Sequence, residues 1–449
     1  MLKGIAEENR DDVHRLLQCL VVAIRPLRVE ELAEVLAINF DGADGIPKLN
    51  PDWRWEDEEE ALQASCSSLI AIVNTGDSRV VQFSHFSVKE FLTSPRLTNS
   101  NSNVSLYHIS LEHAHTILAQ SCLCVLLRLP VGDQLKQDST KGKEDRYNTR
   151  DSFPLAVYAA RHWVNHAQFG NVSSHIWKGM ELLFNPNKPQ FSTWLKLYNV
   201  DSLPDSNFRF ANYDQRLKGT PLYYAALWGL HDLTEHLIIQ HSQDVNAHGG
   251  LNVTPLGAAL AGKHLQLAEL LFRHGAALDV QNCVGVTLLH EASKQEDPEI
   301  LQWLLSHGLD PCFHGGLRTT PLHWAAISGK LETTRILLQH NADAKAQGYR
   351  RQTPLHHASM FGHPDVAQLL LGHGADVNAR DRYDSTPLHL ASQRAFCLTR
   401  RREGMFAVAR LLLEHGADRS AVDNRSRTAF QVAKKDDEMM QLLSEHISH

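Results

Sequence analysis

Leucine-rich runs recur through the second half of the chain at Leu270-Leu271, Leu304-Leu305, Leu337-Leu338, Leu369 to Leu371 and Leu411 to Leu413. Ahead of them stand small residues, such as Ala225-Ala226, Ala258-Ala259 and Ala325-Ala326. Threonines at 220, 254, 287, 320, 353 and 386, spaced by 34, 33, 33, 33 and 33 residues, open each block, mostly as Thr-Pro-Leu or Thr-Pro-Leu-His. A second marker keeps the same beat: His241, His274, His307, His340 and His373 are 33 apart. The threonine hydroxyl caps exposed N–H groups and proline in the first turn loses no needed donor, so each block predicts a helix start. A turn near Gly229, Gly329 or Gly362 leads to the leucine-rich second helix, and a glycine after the marker histidine ends it with a positive φ. One such unit cannot bury its apolar face alone, so neighbours must stack.

This pattern resembles the ankyrin repeat, over about seven units from residue 219 to 449. The resemblance implies a mostly α fold, an α-solenoid with short hairpins. From Thr386 to Thr428, and from His373 to His415, the interval is 42 residues, so nine extra residues lie near Arg394 to Phe406. They are expected to enlarge the turn between the two helices of the sixth unit. The last unit, Thr428-Ala429-Phe430 with the charged run Lys434 to Glu438, reads as a polar, partial C-terminal cap.

Residues 1–218 lack the period. Leu16, Leu17, Leu20, Val21 and Ile24 form one helical stripe, Pro26 breaks it, and Val29, Leu32 and Leu36 continue on a second helix. A third helix is expected over Ala61 to Leu69, then a hairpin of Ile70 to Val73 and Val80 to Phe83 about Asn74-Thr75-Gly76-Asp77, then a helix from Ser87 to Leu92. That is a winged-helix order, assigned to residues 1–100. A helical linker domain is expected over 101–218, amphipathic at Ile117, Leu118, Cys122, Val125 and Leu126, with a mobile polar loop from Asp133 to Arg150. The segments Arg15 to Leu20, Arg25 to Leu36, Phe83 to Leu92, His113 to Ala119 and Tyr158 to Val164 resemble fungal NACHT–ankyrin proteins of the STAND class. In that class a nucleotide-binding module precedes the winged helix. No Gly-x-x-x-x-Gly-Lys-[Ser/Thr] occurs here; Gly257 with Gly262-Lys263 continues into His264 inside a repeat. The resemblance therefore implies a truncated product or a paralogue without the module.

Charge and composition narrow the chemistry. A net charge of −7 gives no global attraction to nucleic acid or anionic membrane, and residues 1–92 carry no basic cluster for a DNA-reading winged helix. Seven scattered cysteines read as reduced thiols, the Cys122-x-Cys124 pair included, and no signal peptide or long apolar run is present. These features place the chain in the cytoplasm, or the nucleus. Of the 27 histidines, His290, His323, His356 and His389 sit where an imidazole bridges backbone groups of adjacent repeats; the marker histidines close second helices. No zinc, nucleophile-elbow or paired Cys motif appears, so no catalytic residue, metal or cofactor is expected.

What remains is recognition by surface. Four residues on from the motif threonine stand Tyr224, Ala258, Glu291, Trp324, His357 and Leu390; eight on stand Trp228, Gly262, Gln295, Ser328, Phe361 and Arg394. Tyr224, Trp228, Trp324 and Phe361 are the aromatic candidates for a partner on the concave face. Tyr349, Arg350, Arg380, Arg382 and Tyr383 are the candidates on the hairpin tips. Residues 219–309 carry 3 basic and 9 acidic side chains, net −6, and residues 310–449 carry 18 and 15, net +3. A basic, tyrosine-bearing tip row suits a protein or an acidic peptide, and the sequence leaves the oligomeric state open.

Overall fold

The computed structural model describes Leu2, Ile5 and residues 7–41, 46–53, 57–66, 68–76, 78–98, 103–130, 152–198, 219–282, 284–295, 297–393, 399–433 and 436–445. The expected Asp133–Arg150 loop and Arg394 lie outside them. The described chain forms two compact units, one of residues 1–216 with 220–243, the other of 217–219 with 244–449.

In the first unit α1 (Arg10–Val22) buries Val13, Leu16, Leu17 and Val21 along one stripe and stops before Pro26. Strand β1 (Leu27–Arg28) leads into α2 (Val29–Leu36). Glu31 sets that start: its carboxylate accepts the Arg28 N–H at 2.9 Å and both Arg25 guanidinium arms at 2.6 and 2.7 Å. Burial raises the Glu31 pKa, but the Arg25 fork and the Arg28 amide outweigh it and hold the carboxyl below its ordinary value. Strands β2 (Ile38–Asn39) and β3 (Lys48–Leu49) pair, α3 (Glu58–Cys66) follows, and then the wing of β4 (Ile70–Thr75) and β5 (Ser78–Phe83). The wing is antiparallel from Ile70↔Phe83 to Thr75↔Ser78, and β1 adds to β5 to give the order β1-β5-β4. Helices α4 (Phe86–Leu92) and α5 (Pro95–Thr98) complete the winged-helix order.

The long helix α6 (Leu111–Arg128) buries Leu118, Cys122, Val125 and Leu126 against α1 and α7 (Ala156–Ala167). Burial pushes the Cys122 and Cys124 thiols up. Helices α8 (Val172–His175), α9 (Trp177–Leu183) and α10 (Gln190–Leu197) follow. Trp163, Phe184, Phe191 and Trp194 form an aromatic cluster with ring centroids 5.4–6.0 Å apart, and Trp194 Nε1 donates to the Ala160 carbonyl at 3.0 Å. The stretch read as a linker domain thus shares one core with the winged helix: Leu155 N–H donates to Glu34 Oε2 at 2.6 Å and Ile24 N–H to the Tyr158 hydroxyl at 3.2 Å.

Seven helix pairs follow among the described residues. They are α11 (Pro221–Leu227) with α12 (His231–Ile239), α13 (Pro255–Ala261) with α14 (Leu265–Arg273), and α15 (Leu288–Lys294) with α16 (Pro298–Ser306). Then come α17 (Pro321–Ser328) with α18 (Leu331–Gln339), α19 (Pro354–Phe361) with α20 (Pro364–Gly372), α21 (Pro387–Ala391) with α22 (Thr399–Glu414), and α23 (Ala429–Val432) with α24 (Asp437–Glu445). The motif threonine is the N-cap of every first helix, and Gly275, Gly308, Asn341, Gly374 and Gly416 take the positive φ that ends the second helices of pairs two to six. From the third pair to the sixth, first helices pack on first helices and second on second.

The nine-residue insertion departs from expectation. Helix α22 has 16 residues where the other second helices have 9, so much of the insertion lengthens a helix rather than a turn. The added turns hold Arg402, whose guanidinium donates to both Asp436 carboxylate oxygens in the last pair at 3.1 and 2.8 Å.

Candidate protein-interaction surface

Each central repeat is joined to the next by one imidazole. The backbone N–H groups of Thr287, Thr320, Thr353 and Thr386 donate to Nδ1 of His290, His323, His356 and His389 at 3.1–3.4 Å. Nδ1 is therefore an acceptor, and Nε2 carries the proton. It donates to the carbonyls of Thr319, Gln352, Ser385 and Arg427, each in the following repeat, at 2.9–3.1 Å. Burial lowers the pKa of His290, His323 and His356, that of His323 to about 4, so the neutral tautomer the bridge needs is the one present near neutrality. Tyr223 and Gly257 hold this position in the first two repeats, and Gln431 in the last.

These bridges fix the hairpin tips. Asp381 Oδ1 accepts the N–H groups of Tyr383 and Ser385 at 2.8 and 2.9 Å, and Asp423 Oδ1 accepts those of Arg425 and Arg427 at 2.9 Å. Both carboxylates are buried, so these two acids point inward while Arg350, Arg380 and Arg382 stay exposed. Main-chain bonds run from tip to tip: Gly316 N to Gly285 O at 2.8 Å, Arg382 N to Arg350 O at 2.7 Å and Asn424 N to Tyr383 O at 2.9 Å. The Arg350 guanidinium lies between two exposed rings, 5.0 Å from the Tyr349 centroid and 5.6 Å from that of Tyr383.

With that geometry in view, the comparisons with known proteins agree. The family described as "Ankyrin repeats" matches three times, at residues 222–314, 289–381 and 322–399, and a single ankyrin repeat matches at 383–424. The C-terminal half is an array of ankyrin repeats. Residues 2–105 match the winged helix domain of GPI inositol-deacylase. The chain is also 31% identical over 276 residues to azaphilone pigments biosynthesis cluster protein L of Monascus ruber. That match covers 58% of this chain and 54% of the relative, so the chain spans about half of that protein's length.

The ankyrin surface differs in part from its sequence-level outline. Tyr224 is only 1% exposed and lies 5.8 Å from the Phe191 ring and 5.5 Å from that of Trp228. Trp228 is half-buried, 5.1 Å from Trp194, and its carbonyl accepts from Gln168 Nε2. Tyr224 is shut in the core of the N-terminal unit, which corrects its reading as a partner contact, and Trp228 packs on the edge of the same core while staying partly exposed. Trp324 and Phe361 are half-buried in the array; Trp324 Nε1 donates to Thr319 Oγ1 at 3.0 Å and Phe361 faces the His363 ring at 6.5 Å. On the tips, Tyr349 is 47% and Tyr383 40% exposed, Arg350 and Arg382 are exposed, and Arg380 reaches the Val422 carbonyl at 3.1 Å. The structure therefore gathers Tyr349, Arg350 and Tyr383, with Arg382 beside them, and leaves Trp324 and Phe361 on separate helices.

Arg318 is absent from the sequence-level candidates, and Arg351 stands there only as the neighbour of Arg350 in the tip run 347–351. Both are exposed and left-handed, at φ 57°. They stand two residues before the motif threonine, as do Gly285 (φ 75°), Asp384 (φ 55°) and Ser426 (φ 57°). That fixed offset was the available signal. The described residues contain no helix long and apolar enough to cross a membrane.

Proposed function

We propose that the chain is a non-enzymatic scaffold or adaptor that recognises a protein or an acidic peptide on its ankyrin array, through the concave face and the hairpin tips. The observation that carries this reading is the exposed Tyr349–Arg350–Tyr383 cluster on an edge held by histidine bridges and tip-to-tip main-chain bonds. A preorganised surface loses little freedom on binding, so more of its contact energy appears as affinity. The winged-helix half (1–100) and the helical stretch (101–218) would act as the adaptor's second arm, in the cytoplasm or nucleus.

Immobilised chain should capture a partner from a cell extract, and joint charge reversal of Arg350, Arg380 and Arg382 should abolish that capture. Undiminished capture would remove the tip row from the reading. Absence of nucleotide turnover by the purified chain is the matching expectation for a protein without catalysis.

A second reading is supported by the winged-helix match at residues 2–105 and by a relative of which this chain spans about half. In it the chain is the sensor and arm of a STAND-type NTPase switch in fungal non-self recognition, with its NACHT module encoded upstream. Sequencing the 5′ end of the transcript separates the two, since a P-loop in frame favours the switch.

A further inference from the structure

The tips of the fourth to sixth ankyrin repeats are built more elaborately than a solvated charge requires. Arg318, Arg350 and Arg351 all hold left-handed backbone, with φ of 57°, 58° and 57°, and the third repeat has Gly285 at the corresponding offset. Long side chains are disfavoured in that region relative to glycine, and such backbone concentrates at binding sites. Among the described residues none of the three forms an ion pair, and neither does Arg380 or Arg382. The Arg350 guanidinium lies over the rings of Tyr349 and Tyr383, hydrogen-bonds the Tyr349 side chain and is itself exposed. Two tip carboxylates, Asp381 and Asp423, are consumed inside their own turns.

The spacing of these cations follows from the stack. Packed helices stand about 8–10 Å apart, so each repeat advances the tip row by about that distance. A chain in the extended polyproline II form advances about 3.1 Å per residue and returns every third side chain to the same face, so three residues span one repeat. The main-chain bond from Arg382 to Arg350 keeps the spacing between the fifth and sixth tips fixed. Asp384, exposed at the same offset in the sixth tip, repels an acid and marks where the run of cations is interrupted.

We propose that the tip row from Arg318 to Arg382 binds an extended acidic segment of a protein partner whose carboxylates recur at every third residue, with the Tyr349–Arg350–Tyr383 stack as the central anchor. This rests on the scaffold reading above and specifies the partner's charge register.

The test uses the full chain at low ionic strength and two fluorescent peptides of identical composition. One is Glu-Gly-Ser repeated four times; the other has its glutamates in a single block followed by Gly-Ser repeats. The spaced peptide should bind about fivefold tighter than the block peptide. Arg350→Gly suits the left-handed backbone and should leave the circular dichroism spectrum unchanged while weakening the spaced peptide about tenfold. Arg350→Lys should restore only part of that loss, because an ammonium lacks the stacking plane. Equal affinity for both peptides, or full affinity in Arg350→Gly, would overturn the proposal. So would an oligothymidylate of equal charge that competes as well as the spaced peptide, since the row would then read phosphate backbones. If the peptides fail but Trp324→Ala or Phe361→Ala still abolishes partner capture, the charge register falls while the scaffold reading stands on the helices.

Discussion

His290, His323, His356 and His389 act as pegs, each accepting a threonine N–H on one nitrogen and donating to the next repeat with the other. Protonation destroys the accepting side, which gives the fold a pH dependence of defined sign. An exposed imidazole ordinarily titrates near 6.5, whereas burial depresses His323 to about 4 and His357 and His166 to about 3. Above pH 6.5 neither state binds the proton and stability is whole. As pH falls from 6.5 toward 4, the unfolded chain takes up protons that the buried rings refuse, so stability drops by about 1.4 kcal/mol per pH unit for each such ring. Urea unfolding at pH 7.5 and pH 5 should show that loss, and identical midpoints would refute it. His357 is a separate case: only 8% exposed, it leaves both ring nitrogens without a hydrogen-bond partner. His357→Phe keeps the ring and removes the unmet groups, so it should stabilise the chain by about 1 kcal/mol, read as a higher urea midpoint. The pegs were legible in the sequence because residue type and period coincide. The left-handed arginines were not, since no composition announces the sign of φ and only their offset from the threonine repeats.

At the scale of elements, the Thr-Pro starts and the glycine stops were legible because each rests on local backbone chemistry. The fate of the inserted residues was not. Arg400-Arg401-Arg402 looks like a polar turn, yet it lies in α22, where Arg402 finds Asp436. Arg402 is exposed, so solvent screening leaves that pair little weight in stability. The closer constraint is Gly404, where an added Cβ would stand 2.1 Å from the Gly362 carbonyl oxygen. Glycine to alanine within a helix ordinarily gains about 1 kcal/mol. Here the contact should reverse the sign, and Gly404→Ala should cost about 2 kcal/mol by thermal or urea unfolding. A neutral or stabilising result would mean that α22 is not seated against the fifth repeat.

For the whole molecule, the motif boundary and the packing boundary do not coincide. The period begins at Thr220, but residues 220–243 belong to the N-terminal compact unit. The physical reason is in the side chains: Tyr223, Tyr224 and Trp228 join the Phe191 and Trp194 rings, and His236 packs edge-on to Trp177 at 5.3 Å. A fragment of residues 1–243 should fold with blue-shifted tryptophan emission and a cooperative melt. A fragment of residues 1–218 should lack both, having lost one wall of its aromatic core. Repetition is visible in one dimension, whereas the sharing of a core between a repeat and a non-repetitive neighbour depends on contacts that no local pattern encodes.

The reach of the pegs has an evolutionary consequence. From His290, His323 and His356 the accepting carbonyl lies 29 residues ahead each time. An in-frame duplication of 33 residues within 287–385 therefore copies both the peg and its socket. Lineages can lengthen or shorten the edge by unequal crossing-over without inventing a new contact, and the span of cargo becomes a trait set by copy number.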